Sequence, residues 1–355
     1  MSTLFSPIKI RSVEIRNRVW LSPLCQYSAV EGMPNDWHLV HLGKFAMGGV
    51  GLIMTEATGI SPTARSTQRD TGIWSDEQGR AWKRIVDFVH EQGAVIGIQL
   101  WHVGQKGSTG TPWEGQEYVP VADGGWEAVS AGTRAFGKLP APHQLTQPMI
   151  DEILVQYQDA ARRSLQAGFD VVEIHGAHGY LIHSFLSPIT NTRTDQYGGT
   201  FENRIRFVRQ VVASIRAVWP DSLPLFLRTS AHDWVEGGWT SEENAELARI
   251  LLTEGVDLVD CSSGGITPDI EYPVSPGYQV PFAQEVKEHS EMLACAVGMI
   301  TDPYQADEII RSGQADAVML GRELLRDPNW TLRAAGELGY DIEWLNQYKQ
   351  AKRKN

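Results

Sequence analysis

The chain has 355 residues, 42% of them hydrophobic and 21% charged, with 31 Lys and Arg against 43 Asp and Glu for a formal net charge of -12. This describes an ordinary globular protein able to bury one large core, and the acidic balance argues against nucleic acid or an anionic membrane surface as a partner. No apolar run has signal-peptide or bilayer-spanning length, and three scattered cysteines, Cys25, Cys261 and Cys295, exclude a disulfide framework or a cysteine-ligated iron–sulfur cluster, so a cytoplasmic protein with reduced thiols is expected.

Short β-branched runs alternate with longer amphipathic stretches from end to end, the pattern of repeated βα units around a parallel sheet. Strands are predicted at residues 19–22, 51–58, 94–100, 170–175, 223–230, 257–262, 293–298 and 317–321. Helices are predicted at 37–47, 76–92, 147–167, 201–219, 241–254, 281–289, 303–312 and 328–338. Gly93, Gly168, Gly255 and Gly313 each end a helix directly before a strand, as αβ connections require. Eight units without a linker favour a single closed (β/α)8 TIM barrel over residues 1–355. An open doubly wound sheet would show Gly-x-Gly-x-x-Gly after its first strand, and none is present. The spacing breaks once, at a Gly/Pro/Trp-rich excursion over residues 104–146 that carries Trp113 and Trp126. So long an insertion reads as a rim or lid, and residues 340–355 read as a C-terminal tail.

In such a barrel chemistry sits on the loops that follow the strands. The first strand leads into Ser22-Pro23-Leu24-Cys25-Gln26-Tyr27, the second ends at Glu56-Ala57-Thr58, and the third delivers Gln99 and His102 with Lys106 beyond. The fourth is followed by His175-Gly176-Ala177-His178-Gly179-Tyr180; Arg228 closes the fifth, Cys261-Ser262-Ser263 follows the sixth, and Gly298 and Gly321-Arg322 end the last two. Two imidazole donors can hold an oxygen that gains negative charge while a neighbouring phenol delivers a proton. A metal is not expected, because no third ligand follows His175 and His178 at helical spacing. Gly298, Gly321 and Arg322 offer backbone N–H groups and a guanidinium for a phosphate. Gln99 can pair with an imide edge and Arg228 can stabilise negative charge on a ring. Together these read as an FMN site. The alternative is a lyase or isomerase of a phosphorylated metabolite with His175 and His178 as acid and base.

The whole chain resembles the old yellow enzyme family. The resemblance is carried by Asn17-Arg18-Val19, Ser22-Pro23-Leu24-Cys25-Gln26-Tyr27, Gly72-Ile73-Trp74-Ser75-Asp76, Ile98-Gln99-Leu100-Trp101-His102 and His175-Gly176-Ala177-His178-Gly179-Tyr180-Leu181. Arg193-Thr194-Asp195-Gln196-Tyr197-Gly198-Gly199 with Glu202-Asn203-Arg204, and Gly321-Arg322-Glu323-Leu324-Leu325-Arg326-Asp327-Pro328, complete it. Cys25 in place of a threonine, with Tyr27 and Lys106, is similar to the bacterial thermophilic-like subclass that includes xenobiotic reductases. The resemblance implies tightly bound, non-covalent FMN contacted by Ser22, Pro23, Cys25, Ala57, Gln99, Arg228, Gly298, Gly321 and Arg322. It implies NADPH or NADH as hydride donor, and reduction of α,β-unsaturated carbonyl, maleimide or nitro compounds. His175 and His178 would bind the substrate oxygen, Tyr180 would protonate Cα, Cys25 would act as a neutral thiol beside the flavin, and Tyr27 and Lys106 would line the substrate side. A homo-oligomer, dimer or tetramer, is expected.

Overall fold

A hairpin too short to show a periodic signal opens the computed structural model, which describes residues 3–268 and 270–352. Its strands, β1 (Ile8–Ile10) and β2 (Val13–Ile15), alternate buried and exposed side chains. The four apolar residues plug the lower end of the barrel, where they meet Trp20, Met54, Val171, Phe226, Leu258 and Met319. The termini of the expected 1–355 unit, residues 1–2 and 353–355, lie outside the described residues.

The barrel strands are β3 (Val19–Leu21), β4 (Leu52–Gly59) and β5 (Val95–Trp101), then, after a two-residue pair in the excursion, β6 (Val129–Ser130) and β7 (His143–Gln144), come β8 (Val171–Gly176), β9 (Leu225–Ser230), β10 (Leu258–Ser262), β11 (Leu293–Val297) and β12 (Ala317–Leu320). They close in the order β10-β11-β12-β3-β4-β5-β8-β9, every pairing parallel. This is the expected (β/α)8 fold. All eight residues of β4 are buried, as a strand covered on both faces demands. A bulge between Met54 and Ala57 re-aims the upper end of β4.

The larger helices are α1 (Asp36–Met47), α2 (Asp76–Glu91), α3 (Gln147–Ala167), α6 (Arg206–Arg216), α7 (Ser241–Thr253), α8 (Val280–Ser290), α9 (Pro303–Arg311) and α11 (Trp330–Glu337). Short segments α4 (Leu181–Leu186), α5 (Phe201–Arg204) and α10 (Arg322–Arg326) complete the set. Side-chain caps fix several starts: Ser75 with Gln78 at α2 and Thr240 with Glu243 at α7 each form a capping box. Gly168 stops α3 in a left-handed turn at φ +90, returning its N–H to Leu165 and Ser164. The helix predicted over 201–219 is interrupted at Ile205, whose ψ of -9 departs from helical values, although backbone bonds run across the break. α4 and α10 span one or two turns, too little for a periodic signal.

The excursion at residues 104–146 is tied to the segments that follow β4 and α4. The Arg65 guanidinium lies 5.0 Å from the Trp74 ring and 5.5 Å from Trp126. Arg193 donates to the carbonyls of Ala131 (3.2 Å) and Leu145 (2.8 Å).

Candidate active site

At the C-terminal ends of the barrel strands lies a cavity of about 410 Å³, large enough for a substantial ligand. Its wall contains Ser22, Pro23, Cys25, Ala57, Gln99, His175, His178, Tyr180, Arg228, Gly298, Gly321 and Arg322. Two residues expected on the substrate side are absent from this wall. Tyr27 packs edge-on against Trp113 of the excursion at 5.7 Å. Lys106 is engaged by backbone behind the wall: its Nζ donates to the carbonyls of His178 (2.7 Å) and Gly265 (2.6 Å) and lies 3.9 Å from the Phe136 ring and 5.5 Å from the Tyr180 ring. It therefore ties the loop after β8 to the loop after β10. Burial pulls its amine down to about 7.

His175 is the last inward-facing residue of β8, and its Nδ1 accepts the Ala177 N–H at 3.2 Å. His178 takes a positive φ of 59, held by its own N–H on the Ser230 hydroxyl at 2.8 Å. Gly179 follows at φ +73, where a Cβ would stand 2.2 Å from the Gly265 carbonyl oxygen, so the loop passes there only without a side chain. Below it the Gly179 N–H donates to His183 Nδ1 (2.8 Å), and His183 Nε2 lies 2.8 Å from Asp233 Oδ1. Both of those side chains are fully buried. The imidazoles of His175 and His178 stand nearly perpendicular, with centroids 5.1 Å apart and His178 Nδ1 3.4 Å from His175 Nε2. Tyr180 packs edge-on to His175 at 4.9 Å and to Trp101 at 4.7 Å.

Burial, helped by the charge of Arg228, holds both His175 and His178 well below the ordinary histidine value. Each is then a neutral imidazole with a single N–H. Burial raises Tyr180 well above the usual phenol range, and the same cause keeps Cys25 a thiol. The cavity floor is polar. Gln99 Nε2 donates to Glu173 Oε1 at 2.7 Å, and Arg228 Nε lies 3.0 Å from Asp260 Oδ2.

The NADH:flavin oxidoreductase / NADH oxidase family model matches residues 3–340. The chain belongs to that family. An NADPH dehydrogenase of Bacillus cytotoxicus is 41% identical over 98% of this chain and 96% of its own length. An NADH:flavin oxidoreductase of Gibberella zeae is 44% identical over 97% of this chain and 88% of its own. Morphinone reductase superposes with a TM-score of 0.79 at 29% identity, covering 96% of this chain and 91% of that one. A further morphinone reductase structure, in complex with tetrahydroNAD, also gives 0.79, at 28% identity over 97% and 92% of the two chains. The protein is thus an old yellow enzyme family oxidoreductase that uses FMN and a nicotinamide hydride donor, which sets aside the lyase or isomerase alternative.

The cavity fits a flavin nucleotide. Gln99 and Arg228 supply an amide and a buried guanidinium at the floor, suited to the polar edge of the ring. Arg322, also on the wall, makes one side-chain hydrogen bond among the described residues, a loose 4.0 Å approach to Met299 Sδ. Beside it a Cβ on Gly321 would meet nothing closer than Leu24 Cδ2 at 3.4 Å, leaving backbone open to a phosphate.

Other wall and floor residues received no individual role from sequence reasoning. Trp101 backs both Tyr180 and His175, and Met299, Ile300 and Thr301 also line the cavity. Ser262 Oγ lies 2.7 Å from His178 Nε2. Glu173 and Asp260 did carry a signal: each is a lone acid inside a short apolar strand, VVEIHG and LVDCS, where burial of a charge needs a reason. Among the described residues no cluster of His, Cys, Asp or Glu could hold a metal ion, and no helix is long and apolar enough to cross a membrane.

Proposed function

We propose that this oxidoreductase reduces activated C=C bonds of α,β-unsaturated carbonyl, maleimide or nitro compounds in two alternating half-reactions. The observation that carries this reading is the pair of ring nitrogens, His175 Nε2 and His178 Nδ1, 3.4 Å apart on the cavity wall with Tyr180 beside them. Ser22, Pro23, Cys25, Ala57, Gln99 and Arg228 hold the flavin ring, and Gly298, Gly321 and Arg322 hold its phosphate. FMN, when bound, accepts a hydride from NAD(P)H and passes it to the alkene. The chain's own residues do the rest.

His175 receives the Ala177 N–H on Nδ1, so its proton sits on Nε2. When Ser262 donates its hydroxyl to His178 Nε2, the His178 proton sits on Nδ1. Two N–H donors then stand side by side and converge on one substrate oxygen. As Cβ accepts hydride that oxygen gains charge, and a preorganised donor is worth roughly 3 kcal/mol in such a site. Neutral imidazoles suit this task because they donate without themselves being deprotonated. Tyr180 delivers the proton to Cα, its hydroxyl kept protonated by burial until that moment. The excursion at residues 104–146 serves as the rim, and exposed Trp37 and Val40 on α1 support a homo-oligomeric assembly.

The direct test combines an absorbance spectrum of the purified protein with anaerobic reduction by NADPH or NADH and reoxidation by cyclohexenone, a maleimide and a nitroalkene. A yellow protein whose colour bleaches with the nicotinamide and returns with these alkenes is expected. A yellow protein that bleaches but is reoxidised by none of the alkenes would overturn the substrate class.

A further inference from the structure

Glu173 and Asp260 sit inside the barrel with no part in the scheme above. Inward positions alternate along the strands: Val171, Glu173 and His175 on β8, Phe226 and Arg228 on β9, Leu258, Asp260 and Ser262 on β10. Val171, Phe226 and Leu258 belong to the apolar plug at the lower end of the barrel, whereas His175 and Arg228 reach the cavity. The two acids form the layer between, both with 0% exposure. Glu173 is bonded to Gln99, and Asp260 faces Arg228. Glu173 Oε2 and both Asp260 oxygens have no hydrogen-bond donor among the described residues.

Two buried carboxylates thus face one guanidinium. The ionisable groups around Glu173 are Asp260 and Arg228, with the Cys295 thiol, itself raised by burial and by both acids and so uncharged. Burial and the Asp260 charge push Glu173 upward, against Arg228 and the Gln99 amide. An ionised pair of acids here would leave the layer with a net negative charge that nothing solvates.

We propose that Glu173 is a proton site coupled to the charge of the ring held above Gln99 and Arg228, so that the layer balances one guanidinium with one carboxylate by binding one proton. The inference rests on the FMN reading. Reduction by NAD(P)H would add negative charge to a ring held by Gln99 and Arg228, and that charge would offset the guanidinium's effect at Glu173 and raise its affinity for a proton. At a pH where the resting Glu173 has already ionised, a proton from solvent then forms an O–H bond on Glu173, and it returns to solvent when the electrons leave for the alkene; at lower pH the carboxyl keeps its proton in both states. Glu173 is a positioning residue: it acts through Gln99 and Arg228 without touching substrate.

The test is the midpoint potential of the FMN-loaded protein as a function of pH. One extra proton taken up with two electrons steepens the plot by about 30 mV per pH unit in the window where Glu173 titrates. Glu173→Gln, which keeps the volume and can still accept from Gln99, should lose that extra slope. Asp260→Asn should lose it as well, because Glu173 then pairs with Arg228 as an anion. Equal slopes in the native protein and Glu173→Gln would overturn the coupling. A second measurement needs no cofactor: the flavin-free protein at neutral pH should show the infrared band of a buried protonated carboxyl that shifts on carboxyl-13C labelling of glutamate. No band, or a shift with labelled aspartate only, would overturn the assignment to Glu173. A colourless protein that never takes up FMN would defeat the FMN reading and leave the infrared result to decide where the proton sits.

Discussion

Replacing Tyr180 by Phe isolates the proton-transfer role from the binding roles of the same wall. The Phe ring keeps the edge contacts to Trp101 and His175, at 4.7 and 4.9 Å. The lost hydroxyl makes no hydrogen bond to protein among the described residues, so folding stability should change by less than about 0.5 kcal/mol. Loss of a general acid typically costs roughly 10²- to 10⁴-fold, about 2.7 to 5.5 kcal/mol at the barrier. Stopped-flow absorbance separates the half-reactions. Flavin reduction by NAD(P)H should run near the native rate, while reoxidation by cyclohexenone should fall within that range. A nitroalkene should suffer much less, because its product anion is stable without immediate protonation. Slowed flavin reduction, or equal losses with enone and nitroalkene, would show that Tyr180 shapes the pocket and is not the acid.

Arg322→Ala should leave the barrel folded and weaken FMN retention roughly ten- to hundredfold, read by dialysis and flavin absorbance; full occupancy would move the phosphate site elsewhere. His175→Ala and His178→Ala should weaken binding of phenols, whose anions resemble the developing enolate, and unchanged affinity in both would remove them from oxygen binding. Ser262→Ala should slow enone reoxidation more than flavin reduction, because His178 loses the partner that places its proton on Nδ1, and an even loss in both half-reactions would argue against that role. Burial works against Asp233, yet His183, the Ser187 hydroxyl and the Trp239 N–H hold its carboxyl below the ordinary value of 3.8. With the folded value depressed, this stabilisation is complete above 3.8 and is lost as pH falls through the folded value. Asp233→Asn should therefore cost roughly 3 kcal/mol at neutral pH and flatten the acid limb of a plot of unfolding free energy against pH; an unchanged limb would remove Asp233 from acid sensitivity.

Much of the architecture was legible because it is local. The apolar runs of β4 and β8 and the glycine after α3 state where strands lie and where a helix stops, and each predicted barrel strand matches an observed one to within two residues at either end. The site was legible for a related reason: once the strands are known, parallel closure puts whatever follows them on one rim, so His175, Arg228 and Arg322 could be grouped although 53 and 94 positions separate successive members. The β1–β2 hairpin was not legible, since three residues of alternation are too few, and its meaning comes from the barrel end it fills.

Lys106 marks the boundary between the two kinds of information. Its position after β5 identifies it as a rim residue, but its direction is decided by carbonyls of His178 and Gly265 on two other loops. The proton positions on His175 and His178 likewise depend on Ala177 and Ser262, and the pairing of Glu173 with Gln99 and of Asp260 with Arg228 joins four different strands. The sequence alone determined the strands, the helix ends and the side chains available at the rim, because hydrophobic periodicity and turn chemistry act over a few residues. Only the tertiary structure decided which of those side chains meet and which carry a proton, because hydrogen bonding and desolvation depend on neighbours that barrel closure brings together from distant parts of the chain.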